Sequence, residues 1–155
     1  MSNLYIKEID SRILAQLQEN ARLSNVDLSQ KINLSQSPCL RRVKKLEDAG
    51  VIKGYFALID QNAVGLPVSV FVSVSLEKQI ESALELFEKT IKSRPEVMEC
   101  YLMTGDADYL LRVVAKDLSA YERFVLDHLT RIKGVSSIKS SFALKQVTYK
   151  TALPL

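Results

Sequence analysis

Four cationic side chains, Arg41, Arg42, Lys44 and Lys45, fall within five positions of the stretch SQSPCLRRVKKLEDAG, Ser35–Gly50. Cations in such a row can neutralise phosphates, while the hydroxyl and amide groups just before them, Ser35, Gln36 and Ser37, can reach base edges. A basic run is as often a solvated surface, so its arrangement around a helix has to decide. At about 100° per residue, Cys39, Leu40, Val43 and Leu46 gather on one side. Ser37, Arg41, Lys44 and Lys45 gather on the other, with Arg42 flanking them. One face to pack and an opposite face of cations is the division of labour of a recognition helix lying in the major groove. Glu47 and Asp48 stand at the C-terminal end, against the preference of the helix dipole. The candidate DNA-contacting residues are Asn25, Ser35, Gln36, Ser37, Pro38, Arg41, Arg42, Lys44 and Lys45.

Other chemistry is sparse. His128 has no nucleophile motif near it, and Cys39 and Cys100 have no base partner in the sequence. Two cysteines and one histidine make a structural zinc site unexpected, and the five glycines form no phosphate-binding loop. No catalytic residue, metal or other cofactor is therefore expected. The net charge of +3 says little about partners, so any nucleic-acid signal lies in clustering. No apolar run has the length of a membrane span, and MSNLYIKEIDSR lacks a signal-peptide core. A reducing cytoplasm fits this cysteine usage.

The elements that must hold these residues fall into two regions with different periods. Residues 9–54 have helical spacing: IDSRILAQLQEN, then NVDLSQKI with Ser24 or Asn25 as cap, then the helix beginning at Ser35 and stopped by Gly50. Pro38 falls in the first turn of that third helix, where a missing N–H costs little. VIKGYFALID has strand character and QNAVGLP reads as a linker. From Val68 the rhythm is strand, helix, strand, twice over: VSVFVSVSLE, QIESALELFEKTIKS, VMECYLMTG, DYLLRVVA, LSAYERFVLDHLTRI and a long final strand SSIKSSFALKQVTYK. A doubled βαβ unit is the ferredoxin-like pattern, with helices on one face of an antiparallel sheet. The expected class is α+β: a winged helix-turn-helix domain over 1–60, a linker over 61–67 and a ferredoxin-like βαββαβ domain over 68–155. Phe71, Tyr101, Met103 and Phe142 are apolar candidates for the uncovered sheet face. A second copy covering that face makes a homodimer the expectation.

The segments IDSRILAQLQENAR, LSQSPCLRRVKKLEDAGVIKGY, RPEVMECYLMTGDADYLLRV and SSFALKQV together resemble the leucine-responsive regulator/asparagine regulator (Lrp/AsnC) family of transcription factors, over Ile9–Val147. EKQIESALELF and the closing stretch are similar to the branch that activates branched-chain keto-acid catabolism. The resemblance implies double-stranded promoter DNA as one partner, a small amino-acid effector as another, and dimers assembling into a ring such as an octamer. It implies an effector site between dimers, at the loop Leu102, Met103, Thr104, Gly105, Asp106, Ala107 and Asp108, with Leu118, Ser141, Phe142 and Ala143. Some leucine-responsive members carry an aromatic where this chain has Ser141. Gly105 would leave backbone amides open to a carboxylate, and Asp106 or Asp108 would accept from an ammonium group. Without the resemblance, TGDADYLL reads as an ordinary turn. The rival readings are an amino-acid-binding regulatory subunit without DNA affinity and, more remotely, an enzyme.

Overall fold

The structure, a computed structural model, describes residues 7–155. It separates into two compact units, one comprising the described chain up to Leu58 together with Val147–Leu155, the other Ile59–Gln146.

In the first unit three helices form, α1 Glu8–Glu19, α2 Asn25–Lys31 and α3 Gln36–Asp48. Their apolar stripes meet in a core centred on Ile13, Leu28, Ile32, Cys39 and Leu46, all essentially buried. Ser24 starts α2: its hydroxyl oxygen accepts from the Asp27 N–H at 3.1 Å and its O–H donates to the Asp27 carboxylate at 2.6 Å. Ser24→Ala is expected to cost about 1 kcal/mol, visible as a lower urea midpoint with an unchanged slope. Gly50, at φ 69°, ends α3 as a left-handed residue. The N–H groups of Val51 and Ile52 then both donate to the Leu46 carbonyl, at 2.9 and 3.1 Å, folding the chain back on the core.

The expected strand over VIKGYFALID does not form, since 51–60 has no partner strand among the described residues. Val51 and Ile52 pack on the core, and the Tyr55 hydroxyl donates to Glu47 at 2.8 Å. Burial, that hydrogen bond and the Glu47 charge push the Tyr55 hydroxyl up to about 12. Glu47, unfavourably placed for the helix dipole, therefore has a local use. Val147–Leu155, expected with the second domain, returns to the first unit. There the Gln18 side chain donates to the Leu153 carbonyl at 3.1 Å and accepts from its N–H at 2.6 Å.

The second unit opens with a turn over the Gly-containing linker segment, in keeping with its turn-rich composition. The Asp60 carboxylate accepts from the Asn62 N–H at 2.8 Å, and the Leu66 N–H donates to the Gln61 carbonyl at 2.9 Å. Then follow β1 Val68–Leu76, α4 Glu81–Lys92, β2 Val97–Leu102, β3 Tyr109–Ala115, α5 Leu118–Phe124, a wider π turn over Val125–Leu129, and β4 Val135–Phe142. The sheet order β2-β3-β1-β4, with every neighbour antiparallel, is the ferredoxin-like arrangement. Alternation assigns its faces. Val70, Val72 and Val74 of β1 and Tyr109, Leu111 and Val113 of β3 are buried under the helices, where the Phe87 and Tyr109 rings stack at 4.4 Å.

β4 stops at Phe142 rather than running on to Lys150. Its last ladder bond, Ala143 N–H to the Ser69 carbonyl at 3.0 Å, uses up the beginning of β1, and Leu144 beyond it is fully exposed. Phe142 pairs with Val70 and so lies on the helix side, its ring edge-on to Tyr121 at 5.3 Å. It therefore does not belong to the open face, and Met103 lies past the end of β2. That open face carries Phe71 and Tyr101, both about half exposed, with Leu110 and an Arg112–Glu99 ion pair at 2.8 Å between them.

Candidate functional site

Helix α3 exposes Gln36, Ser37, Arg41, Lys44 and Lys45 on one side. Ser35 occupies its N-cap position without a side-chain cap bond, so its hydroxyl stays available, and Pro38 is half-buried in the first turn. Arg41, Lys44 and Lys45 make no ion pair among the described residues, leaving three cations for an external anion. Two residues of the expected set are spent inside the unit. Arg42 donates to the Asp10 carboxylate at 2.8 Å, tying α3 to α1. The Asn25 amide donates to the Gln36 carbonyl at 3.0 Å, fixing α2 against the start of α3. Both act by positioning the helix. Arg42→Gln should cost about 1 kcal/mol of stability and leave the salt dependence of DNA binding unchanged, as a binding titration against salt would read.

Leu40 corrects the expected packing face. It is 58% exposed and borders the cations, whereas Cys39 and Leu46 carry the packing. Helical angles alone placed it at the edge of the apolar sector, and an edge position can turn either way. An exposed leucine beside cations offers the apolar contact that a thymine methyl takes in the major groove.

The β2–β3 loop is closed by the Met103 N–H donating to the Asp108 carbonyl at 2.8 Å. Gly105 stands at φ 125°, a left-handed value that a side chain would strain. Thr104, Gly105 and Asp106 are exposed, as are Leu102 and Met103, while Ala107 is half-buried. Asp108 departs from its expected role. It is buried, and its carboxylate accepts from the Leu76 N–H at 2.6 Å and the Gln79 amide at 2.5 Å. Its acceptors are committed to the end of β1 and the approach to α4, leaving Asp106 as the free carboxylate of the loop.

The remaining ligand candidates lie elsewhere. The loop adjoins the end of the sheet where Val74 pairs with Tyr109; Leu118 follows the other end, where Val68 pairs with Ala115. Ser141 and Phe142 pair with Phe71 and Val70, and Ala143 bonds Ser69. From Val74 to Ser69 is about 17 Å along a strand. One chain thus does not bring the two groups together.

Residues 69–153 match the Lrp/AsnC ligand binding domain, and residues 6–53 match a winged helix-turn-helix DNA-binding domain. The chain belongs to the Lrp/AsnC family. Among its relatives the Bkd operon transcriptional regulator of Pseudomonas aeruginosa is 53% identical over 150 residues, covering 97% of this chain and 98% of that protein. The leucine-responsive regulatory protein of Rhizobium meliloti is 39% identical, covering 90% of this chain and 89% of that one. In structure, a transcriptional regulator from Neisseria meningitidis in complex with L-Met superposes with a TM-score of 0.90 at 44% identity, over 96% of both chains.

As an Lrp/AsnC regulator, the chain has its DNA-binding and ligand-binding parts in separate folding units, each with its own core. Two half-buried carboxylates of the ligand-binding unit, Glu96 just before β2 and Glu99 within it, form ion pairs with Arg94 and Arg112. Burial raises the Glu99 carboxyl, but hydrogen bonds from Arg112 and Tyr101 and the Arg112 charge outweigh it and hold it below its ordinary 4.5. Burial likewise raises Glu96, outweighed by hydrogen bonds from its own backbone N–H and from Arg94 and by the Arg94 charge. Depressed carboxylate pKa values contribute stability above the unfolded value that is lost as pH falls through the folded one. The melting temperature of this unit should therefore drop as pH is lowered beneath about 4.5, and Arg112→Gln should make that drop shallower in a pH series of thermal melts. No helix among the described residues is long and apolar enough to cross a membrane.

Proposed function

We propose that the protein is a promoter-binding regulator in which α3 enters the major groove and an amino-acid effector, held at the β2–β3 loop, alters assembly or the spacing of the DNA-binding heads. The single observation that carries the DNA half is the outer face of α3: Arg41, Lys44 and Lys45 without ion-pair partners among the described residues, beside exposed Ser35, Gln36, Ser37 and Leu40. Phosphate contacts from the cations supply affinity, and the hydroxyl, amide and leucine side chains supply base contacts.

The effector half is supported by the L-Met complex of the Neisseria relative and by the loop itself. The amides around Gly105 suit a carboxylate, and Asp106 and Thr104 suit an ammonium group. Leu118 and Ser141–Ala143, about 17 Å away in the same chain, complete the pocket only when supplied by another copy. This fits a site between dimers in a ring such as an octamer. Within each dimer the open sheet face, with Phe71, Tyr101 and Leu110, is covered by the same face of a second copy. Paired heads then suit inverted half-sites about one helical turn apart, read in the cytoplasm. The likeness to the Bkd operon regulator favours a branched-chain keto-acid operon as target and an aliphatic amino acid as effector.

A thermal-shift screen of the twenty amino acids, followed by DNA titration with any that raise the midpoint, tests the effector assignment. An aliphatic amino acid should stabilise the protein and change its DNA affinity, and Thr104→Arg should abolish both effects. If no amino acid does so, or Thr104→Arg responds normally, the effector lies elsewhere. Light scattering at micromolar concentration should give a dimer or a multiple of it; a monomer overturns the assembly.

A further inference from the structure

A groove of about 400 Å³ lies on the far side of α5 from β4, between that helix, the end of β3 and the turn before β2. Its floor is apolar and buried: Val114, Ala115 and Phe124. Its rim is charged with both signs, Lys116 and Arg123 against Glu96 and Asp127, the last with one carboxylate oxygen on Arg131 at 3.1 Å and the other open. The groove shares no residue with the β2–β3 loop, with Leu118 or with Ser141–Ala143.

A half-buried polar network joins two of the lining residues, Glu96 and His128, through Arg94 behind them. Arg94 donates from one Nη to His128 Nε2 at 2.9 Å and to Glu96 Oε1 at 3.3 Å. An arginine cannot accept, so His128 accepts at Nε2 and carries its proton on Nδ1. Two atoms of this network are buried with no partner, Arg94 Nε and Glu96 Oε2. A buried carboxylate oxygen without a donor is costly, and the cost falls when a ligand brings an N–H to it. His128 belongs to the widened π turn Val125–Leu129, an irregularity that re-aims side chains near binding sites.

We propose that this groove is a second ligand site, distinct from the effector loop, that takes a free α-amino acid: ammonium on Glu96 and Asp127, carboxylate on Lys116 and Arg123, side chain on Val114, Ala115 and Phe124. Neither a simple anion nor a simple cation suits a rim with two groups of each sign. A volume of about 400 Å³ holds one small molecule with its hydration. Glu96 stays ionised at neutral pH because its own backbone N–H and Arg94 outweigh its burial, as an ammonium ligand requires. The proposal does not rest on the loop as effector site.

The test uses the full-length chain with alanine methyls isotope-labelled, so that Ala115 and Ala120 report from the groove itself. Each of the twenty amino acids is titrated to 10 mM, in the unaltered protein and in Glu96→Gln, Lys116→Gln/Arg123→Gln and Thr104→Arg. At least one amino acid should shift the Ala115 and Ala120 methyls saturably. Glu96→Gln and the rim double variant should each weaken that binding at least tenfold, and Thr104→Arg should leave it within twofold. The rim residues are exposed, so the double variant stays folded even where Glu96→Gln does not. The proposal is overturned if no amino acid shifts these methyls, if the shifts survive both groove variants, or if Thr104→Arg removes them. Shifts lost only with Thr104→Arg would place all binding at the loop. Shifts lost only with the groove variants, with the DNA response intact, would leave both sites standing.

Discussion

Replacing Arg41, Lys44 and Lys45 together with Gln is expected to weaken binding to a promoter fragment by about 100-fold or more at physiological salt, and to lower the slope of log affinity against log salt by about 2.7. Each of the three cations is exposed and without an ion-pair partner among the described residues, so each can release a counterion from DNA. Arg42 is left in place because it is already committed to Asp10. Including it would mix loss of DNA contact with loss of the α1–α3 tie. The fold should be unaffected, since the packing of α3 rests on Cys39 and Leu46 on the other side. Gel-shift or anisotropy titrations across a salt series measure both quantities, and a thermal melt of the triple variant controls for folding. An unchanged salt slope would remove α3 as the DNA-contacting helix. The amino-acid-binding regulatory subunit would then be the better reading.

The different fates of neighbouring residues show what local pattern can and cannot resolve. Three helices, a doubled βαβ unit and the basic outer face of α3 were legible because each rests on a periodicity of its own sequence. Whether Arg41 or Arg42 faces outward was not, because the two differ in what α1 brings opposite them: Asp10 takes Arg42, and no described residue pairs with Arg41. Leu40 was read as packing because it sits at the sector boundary, and only the neighbouring helices decide which way a boundary residue turns. The strand character of 51–60 is real as composition, but a strand requires a partner, and the described chain supplies none. The end of β4 shows the same dependence. Ser136 to Phe142 and the residues after them are comparable strand formers, yet pairing stops where β1 begins. The Glu96–Arg94–His128 network had no sequence signal, since Arg94 and His128 are 34 positions apart, with β2, β3 and α5 between them.

Asp108→Ala is expected to destabilise the second unit by about 2–4 kcal/mol, lowering its melting temperature by on the order of 10 °C or more. The sequence casts Asp108 as a ligand-binding carboxylate; its surroundings make it a structural one. It lies between Gly105 and the first residue of β3, buried, with one oxygen on the Leu76 N–H and the other on the Gln79 amide. Removing it strands a buried backbone donor at the end of β1 and frees the segment leading into α4. The substitution also uncouples the loop from β1, although the Asp108 N–H still donates to the Val74 carbonyl at 3.0 Å. Asp108→Asn keeps an acceptor for Leu76 and should lose less, about 1–2 kcal/mol. Asp106→Ala is the informative contrast. Its side chain is exposed and holds nothing in place, so the melting temperature should stay within about 1 °C, as surface substitutions usually do, while any amino-acid response weakens. Thermal melts with and without the stabilising amino acid separate the two residues. If Asp108→Ala instead kept its melting temperature and lost only the ligand response, Asp108 would be a ligand group after all, and its bonds to Leu76 and Gln79 would have to open when the effector binds.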